Sequence, residues 1–155
     1  MAVYTIAAHI MVTLPPAQIW AVLDNFSGWP RWMPEFRGLH VDLLSKGTPR
    51  TGYRFRLRGR VAYAELRVVE YDAMRRGTRF RMNLPPLTGA NYCTITRIDE
   101  QLYRIDRIDH VDLFGPVIKI LDATQRDRFT RLSFDFLRAL KNEAERQANE
   151  RSKPT

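Results

Sequence analysis

Apolar and polar positions alternate along most of residues 37–113 of this chain, whereas spacings of three and four take over before and after that stretch. Val3 to Thr13 is apolar and β-prone and predicts a first strand. Pro15-Pro16 stops it, and Pro16 suits the first turn of a helix, where its missing N–H is not needed. Ile19, Trp20 and Leu23 then form a helical stripe whose spacing extends to Phe26, and Asp24-Asn25 ends the helix. Ser27 caps a second short helix, with Pro30 near its start and Pro34 closing it. Strands are predicted over 37–44, 52–58, 60–71, 78–84, 90–99 and 102–113. They are separated by turn signals at Lys46-Gly-Thr-Pro49, Gly59, Arg76-Gly77, Pro85-Pro86 with Gly89, and Asp99-Glu100-Gln101. Gly115-Pro116 opens a long helix to about Ala148, whose buried face reads Ile118, Leu121, Gln125, Phe129, Leu132, Phe136, Leu140 and Ala144.

Consecutive strands with short links imply an antiparallel meander. The expected architecture is α+β: a curved seven-stranded antiparallel sheet wrapped around the C-terminal helix, with two short helices between strands 1 and 2 covering an open end. Residues 1–148 form one ligand-binding domain in this reading, and 149–155 a frayed polar tail.

Several segments carry a resemblance. Val12-Thr-Leu-Pro-Pro-Ala-Gln-Ile-Trp20 resembles the strand-to-helix entry of the START-like superfamily. Asp24-Asn-Phe-Ser-Gly-Trp-Pro-Arg-Trp-Met-Pro34 resembles its aspartate-and-tryptophan turn. Phe114-Gly-Pro116 is similar to the lead-in to its last helix, and Leu140-Lys-Asn-Glu-Ala-Glu145 to that helix's end. The resemblance is closest to the bacterial polyketide cyclase/dehydrase-like branch. It implies a helix-grip fold holding a hydrophobic or aromatic, lipid- or polyketide-like molecule between sheet and helix. Cyclase or dehydrase activity is one expectation; a non-catalytic lipid or quinone carrier or regulator is the alternative, because one fold hosts both.

The charge of +8 raises the question of an anionic partner. Ten arginines fall within residues 50–81 against Glu65, Glu70 and Asp72. In Tyr53-Arg-Phe-Arg-Leu-Arg58 and Arg79-Phe-Arg-Met82 they alternate with apolar residues, which sends the arginines to one sheet face and the apolar side chains to the other. Nucleic acid is disfavoured, since single-strand readers set aromatics beside the basic groove rather than behind it. A solvated outer face is one reading and peripheral docking on an anionic membrane or a partner protein the other. With no secretory signal pattern and one cysteine, Cys93, the expectation is a cytoplasmic protein. Monomer and homodimer are both compatible.

Strand parity selects the candidate ligand contacts. Leu39, Val41, Leu43, Tyr53, Phe55, Leu57, Phe80 and Met82 are expected inside. The cleaner apolar face of the fourth strand is Ala62, Ala64, Leu66 and Val68, which leaves Glu65 outside among arginines. Trp32 is either a lid at the pocket mouth or a plug; Tyr92 and Tyr103 offer hydroxyls, and Phe129 and Phe136 face the sheet from the long helix. Strict alternation puts Arg107 and Asp109 inside together, where a buried arginine needs a partner; a β-bulge would instead turn Arg107 outward. These two are the candidate catalytic pair, with Tyr92 and Tyr103 as further orienting groups. His9, His40 and His110 share no ligand spacing, so no metal is expected, and no phosphate loop or nucleophile elbow calls for a cofactor.

Overall fold

The computed structural model describes residues 1–154. Its strands are β1 (Ala2–Val12), β2 (His40–Leu43), β3 (Arg54–Arg58), β4 (Tyr63–Asp72), β5 (Arg75–Asn83), β6 (Pro86–Asp99) and β7 (Leu102–Leu113). The helices are α1 (Pro16–Leu23), α2 (Trp29–Trp32) and α3 (Gly115–Arg151), with 3-10 turns at Phe26–Gly28 and Pro34–Phe36. All seven strands form one curved antiparallel sheet in the order β1-β7-β6-β5-β4-β3-β2. Every link after β2 is a neighbour-to-neighbour hairpin; β1 closes the far edge by pairing with β7.

The expected α+β helix-grip architecture is the one observed. Pro16 stands at the start of α1, where it leaves no amide unsatisfied. Ile19, Trp20, Val22 and Leu23 turn the buried stripe of that helix onto the core. Two indoles pin the short helices: Trp20 Nε1 donates to the Ala73 carbonyl at 2.8 Å and Trp29 Nε1 to the Leu23 carbonyl at 2.9 Å.

Several local expectations are corrected. Gly77 and Gly89, read as turn glycines, lie inside β5 and β6. A Cβ at Gly77 would stand 2.7 Å from the Tyr92 ring, and one at Gly89 would collide with the His110 carbonyl and the Phe80 ring. Both glycines therefore serve close packing across strands. The helix also runs through 149–151, which shortens the expected tail; Thr155 lies outside the described residues.

A bulge sets one more position. The register of β4 against β5 shifts between Val68 and Glu70. Ala64, Leu66 and Val68 face inward before it, and the extra residue turns Tyr71 inward after it.

The two halves of α3 differ. Phe136, Leu137, Leu140 and Ala144 are buried against the sheet and short helices. In the first half, Ile118, Leu121, Gln125 and Phe129 are only partly covered, and Leu132 is 38% exposed. The stripe expected to be buried along its whole length is sealed only at its C-terminal end. The other end stands over empty space.

Candidate functional site: a two-chambered cavity

That space is a cavity of about 680 Å3 between the first half of α3 and the concave sheet. Leu39, Leu57, Leu66, Phe80, Val111 and Phe129 supply most of an apolar wall, and Met82 lies beside Phe80. Volume and lining are those of a small-molecule pocket. The mouth is rimmed by Val61, Tyr63 and Leu132, all exposed. Deeper in lies a second chamber of about 60 Å3 among Leu23, Phe26, Val68, Thr78, Cys93 and Phe136. Glu35, Phe36, Leu66, Asn91 and Arg107 border both spaces and form the neck.

The neck holds the polar chemistry. Because β7 runs without a bulge here, Arg107 and Asp109 both point inward, opposite Cys93 and Asn91 of β6. Arg107 Nε donates to Asp109 Oδ1 at 3.1 Å and lies 3.0 Å from Oδ2; the two side chains are 14% and 13% exposed. Ser133 Oγ reaches Asp109 Oδ2 at 3.4 Å from α3. The guanidinium carbon lies 3.8 Å from the centre of the Phe136 ring, whose face attracts the cation. Arg107 Nη1 is buried without a partner. A second wall residue, Tyr4 on β1, has the same deficit at its hydroxyl, with its ring edge-on to Phe129 at 6.0 Å.

Glu35 reaches the neck from the 3-10 turn after α2. Loss of hydration at the neck disfavours its charged form and raises its pKa above the ordinary carboxylate value. The Arg107 charge opposes that rise, and Asp109 and Asp135 add to it. Glu35 keeps solvent contact at the cavity surface, so it can exchange a proton. Burial pushes the Cys93 thiol up to about 12, which makes it an inert wall group. At the far side of the small chamber, Arg76 grips Asp24 through Nε at 2.9 Å and Nη2 at 3.1 Å, while the Tyr71 hydroxyl donates to Asp24 at 3.0 Å. The Arg76 guanidinium also lies 3.7 Å from the Tyr71 ring centre and 4.5 Å from that of Trp20. This set ties the end of α1 to β5.

The sequence-derived candidates divide by location. Arg107, Asp109, Phe80, Met82 and Phe129 line the larger cavity, and Phe136 the smaller. Tyr53 and Phe55 face inward but belong to a packed aromatic cluster. Phe55 stacks on Phe26 at 3.9 Å and Tyr53 leans on it at 5.6 Å, while Trp29 meets Phe55 edge-on at 5.2 Å. Trp32 borders neither chamber; it packs on Phe136 at 5.8 Å, which makes it a plug. Tyr103 packs against the core beside the first strand and likewise borders neither chamber.

Tyr92 is corrected outright. Asn91 and Cys93 take the inward positions, so Tyr92 lies on the outer face, against Arg75 at 5.3 Å and His110 at 5.9 Å. Tyr4, Glu35, Asn91 and Ser133 were missed as site residues. Tyr4 alternates inward on its strand and was legible by the parity used elsewhere. Glu35 sits in an irregular turn where no periodicity operates. Among the described residues no group of three or more metal-ligating side chains is assembled.

Such a site can hold an apolar guest, offer a cation and hydroxyls to its oxygens, and pass a proton through Glu35. Residues 4–145 match the family described as polyketide cyclase/dehydrase and lipid transport. The fold is similar to that of the Zhui aromatase/cyclase from Streptomyces sp. R1128, at a TM-score of 0.69 and 18% identity over 95% of this chain and 96% of that one. It is similar to a START superfamily protein from Mycobacterium smegmatis, at 0.67 and 14% over 92% and 98%. It also resembles DynU16 of the dynemicin biosynthetic locus, at 0.61 and 16%; there 92% of this chain spans 47% of the other. No curated protein sequence matches the chain.

Proposed function

This chain belongs to the polyketide cyclase/dehydrase and lipid-transport family, and from that premise we propose that its cavity takes up an elongated apolar or aromatic molecule carrying oxygen at both ends. The observation that carries this reading is the pair of buried donors without partners, Arg107 Nη1 and the Tyr4 hydroxyl, in the walls of a mainly apolar cavity. Buried polar atoms are rarely left unpaired without a reason, and guest oxygens would supply the missing bonds. Tyr4 pairs with Val111 across the ladder, four residues from Arg107. At about 3.4 Å per strand residue the two backbone positions lie roughly 14 Å apart, the length of a multi-ring or extended molecule.

The chemistry proposed for the neck is ring closure or dehydration of a poly-oxygenated chain. Arg107 would hold a carbonyl oxygen and stabilise the enolate formed when Glu35 removes the adjacent proton. Glu35 would then return that proton to the departing hydroxyl, releasing water and restoring both groups. Asp109 and Ser133 orient Arg107 in this scheme. Holding a flexible chain folded supplies much of the rate. The second reading, a carrier without chemistry, is favoured by the open mouth with its apolar rim.

Native mass spectrometry of freshly purified protein tests uptake. A co-purified organic molecule is expected, and it should be absent when Leu57→Trp fills the cavity. An empty wild-type protein whose binding of apolar fluorescent probes is unaffected by Leu57→Trp would overturn the cavity reading. A synthetic linear poly-β-ketone then separates enzyme from carrier: Glu35→Gln should bind it and fail to convert it. Conversion unchanged in Glu35→Gln would remove Glu35 from the chemistry; binding with no conversion by wild type would leave the carrier.

A further inference from the structure

Several arginines on the outer face of the sheet are closely paired with carboxylates. Arg56 meets Glu65 at 2.5 Å, Arg58 meets Asp42 at 3.0 Å, Arg75 meets Glu70 at 2.7 Å and Arg104 meets Asp106 at 2.9 Å. A row across β3, β4 and β5 is different. Arg54 lies directly opposite Arg67 across β3 and β4, and Arg67 directly opposite Arg79 across β4 and β5. All three are exposed. Arg54 reaches a carboxylate only at 3.8 Å, and Arg67 and Arg79 make no ion pair or side-chain hydrogen bond among the described residues.

Like charges directly opposite one another on a sheet face destabilise it. Adjacent strands lie about 4.8 Å apart, so the three side chains leave backbones that span only about 10 Å. Carboxylates neutralise Arg56, Arg58, Arg75 and Arg104 on this face, whereas Arg67 and Arg79, and Arg81 beside them, make no ion pair among the described residues. Arg54, Arg67, Arg79 and Arg81 also border one groove of about 380 Å3. Two carboxylates also line it, and both have partners: Glu65 bonds to Arg56, and Asp112 accepts from Thr88 Oγ1 at 2.8 Å.

We propose that this row is an anion site for a phosphate-bearing small molecule, separate from the cavity on the opposite face of the sheet. Guanidinium groups present planar, paired N–H donors that match phosphate oxygens, and several aimed at one groove favour a compact, multiply charged group over a single carboxylate. An anion bridging Arg67 and Arg79 also converts their repulsion into attraction.

Calorimetric titration with inorganic pyrophosphate at fixed ionic strength tests the site on the whole chain. One saturable site per chain is expected, with a raised thermal midpoint. The double variant Arg67→Gln with Arg79→Gln should lose at least tenfold in affinity. Its own midpoint without the anion should equal or exceed that of wild type, which separates loss of the site from loss of the fold. Arg104→Gln, an already paired arginine of the same face, should leave binding unchanged. The proposal is overturned if pyrophosphate does not saturate, or if Arg104→Gln weakens it as much as the double variant. Co-sedimentation with phosphatidylglycerol vesicles without pyrophosphate binding would likewise overturn it, marking the face as a diffuse membrane contact.

Discussion

Removing Arg107 alone should damage this protein more than removing Arg107 and Asp109 together. Both side chains are about one-seventh exposed, and their contact at 3.0 Å is reinforced by Ser133. Truncating one member of a sealed ion pair costs about 3–5 kcal/mol, because the other charge stays behind uncompensated. This pair borders a cavity that water can enter, so Arg107→Met and Asp109→Leu should each cost about 2 kcal/mol. Replacing both with apolar groups of similar volume removes the stranded charge, and the double variant should lie within about 1 kcal/mol of wild type. The resulting coupling is at least about 3 kcal/mol, at the upper end for contacting residues. For a domain of this size each single variant should melt about 4–8 °C below wild type, with the double variant recovering most of that. Urea denaturation of all four proteins, with midpoints and slopes fitted together, measures the cycle. Additive losses would refute the pair as an interacting unit. Single losses below about 0.5 kcal/mol would show that the neck is solvated rather than dry.

Further outcomes follow from burial and titration. Leu140→Ala, at a fully buried helix position, should cost about 2–5 kcal/mol, whereas Ile120→Ala, at a position 62% exposed, should cost less than about 0.5 in the same denaturation assay. Glu35 has a folded pKa raised above its ordinary 4.5, so its contribution to stability is present below that value and is lost as pH rises through the folded pKa. Glu35→Gln should therefore melt higher than wild type at pH 7, and the difference should close below pH 4.5; a difference that persists unchanged there would refute the cause. Cys93, with its thiol pushed up to about 12 by burial, should resist iodoacetamide at pH 8 in the native state and react once urea unfolds the chain.

Strand alternation made most of the architecture legible, and its failures have local causes. Tyr92 sits in Asn91-Tyr-Cys-Thr94, where neither face of the strand is clearly apolar, so composition could not assign the inward side. The ladder assigns it through Arg107 and Asp109, which fix Cys93 and Asn91 inside. Gly77 and Gly89 carry turn-like composition because glycine serves two needs, positive φ and close approach, and only the opposing rings reveal the second. The helical stripe of α3 marks which side faces the sheet but not how far away the sheet is. A residue lining an empty cavity and one packed in a core have the same apolar character. For the same reason Tyr53 and Phe55 were indistinguishable from Phe80 and Met82 until their neighbours were known.

The sheet's edge-closing ladder bears on how the protein comes into being. Ala2 must find Leu113 and Val12 must find Tyr103, the most distant pairings in the sheet. At a typical 5–20 residues per second, roughly 5–20 s of synthesis separate β1 from its strand neighbour β7. Throughout that interval an apolar eleven-residue segment waits unpaired while its future neighbours are still being made. Contacts of such long sequence separation are slow to close. β1 thus emerges long before the strand that closes it into the sheet, and an unpaired apolar segment stands open to aggregation for that interval.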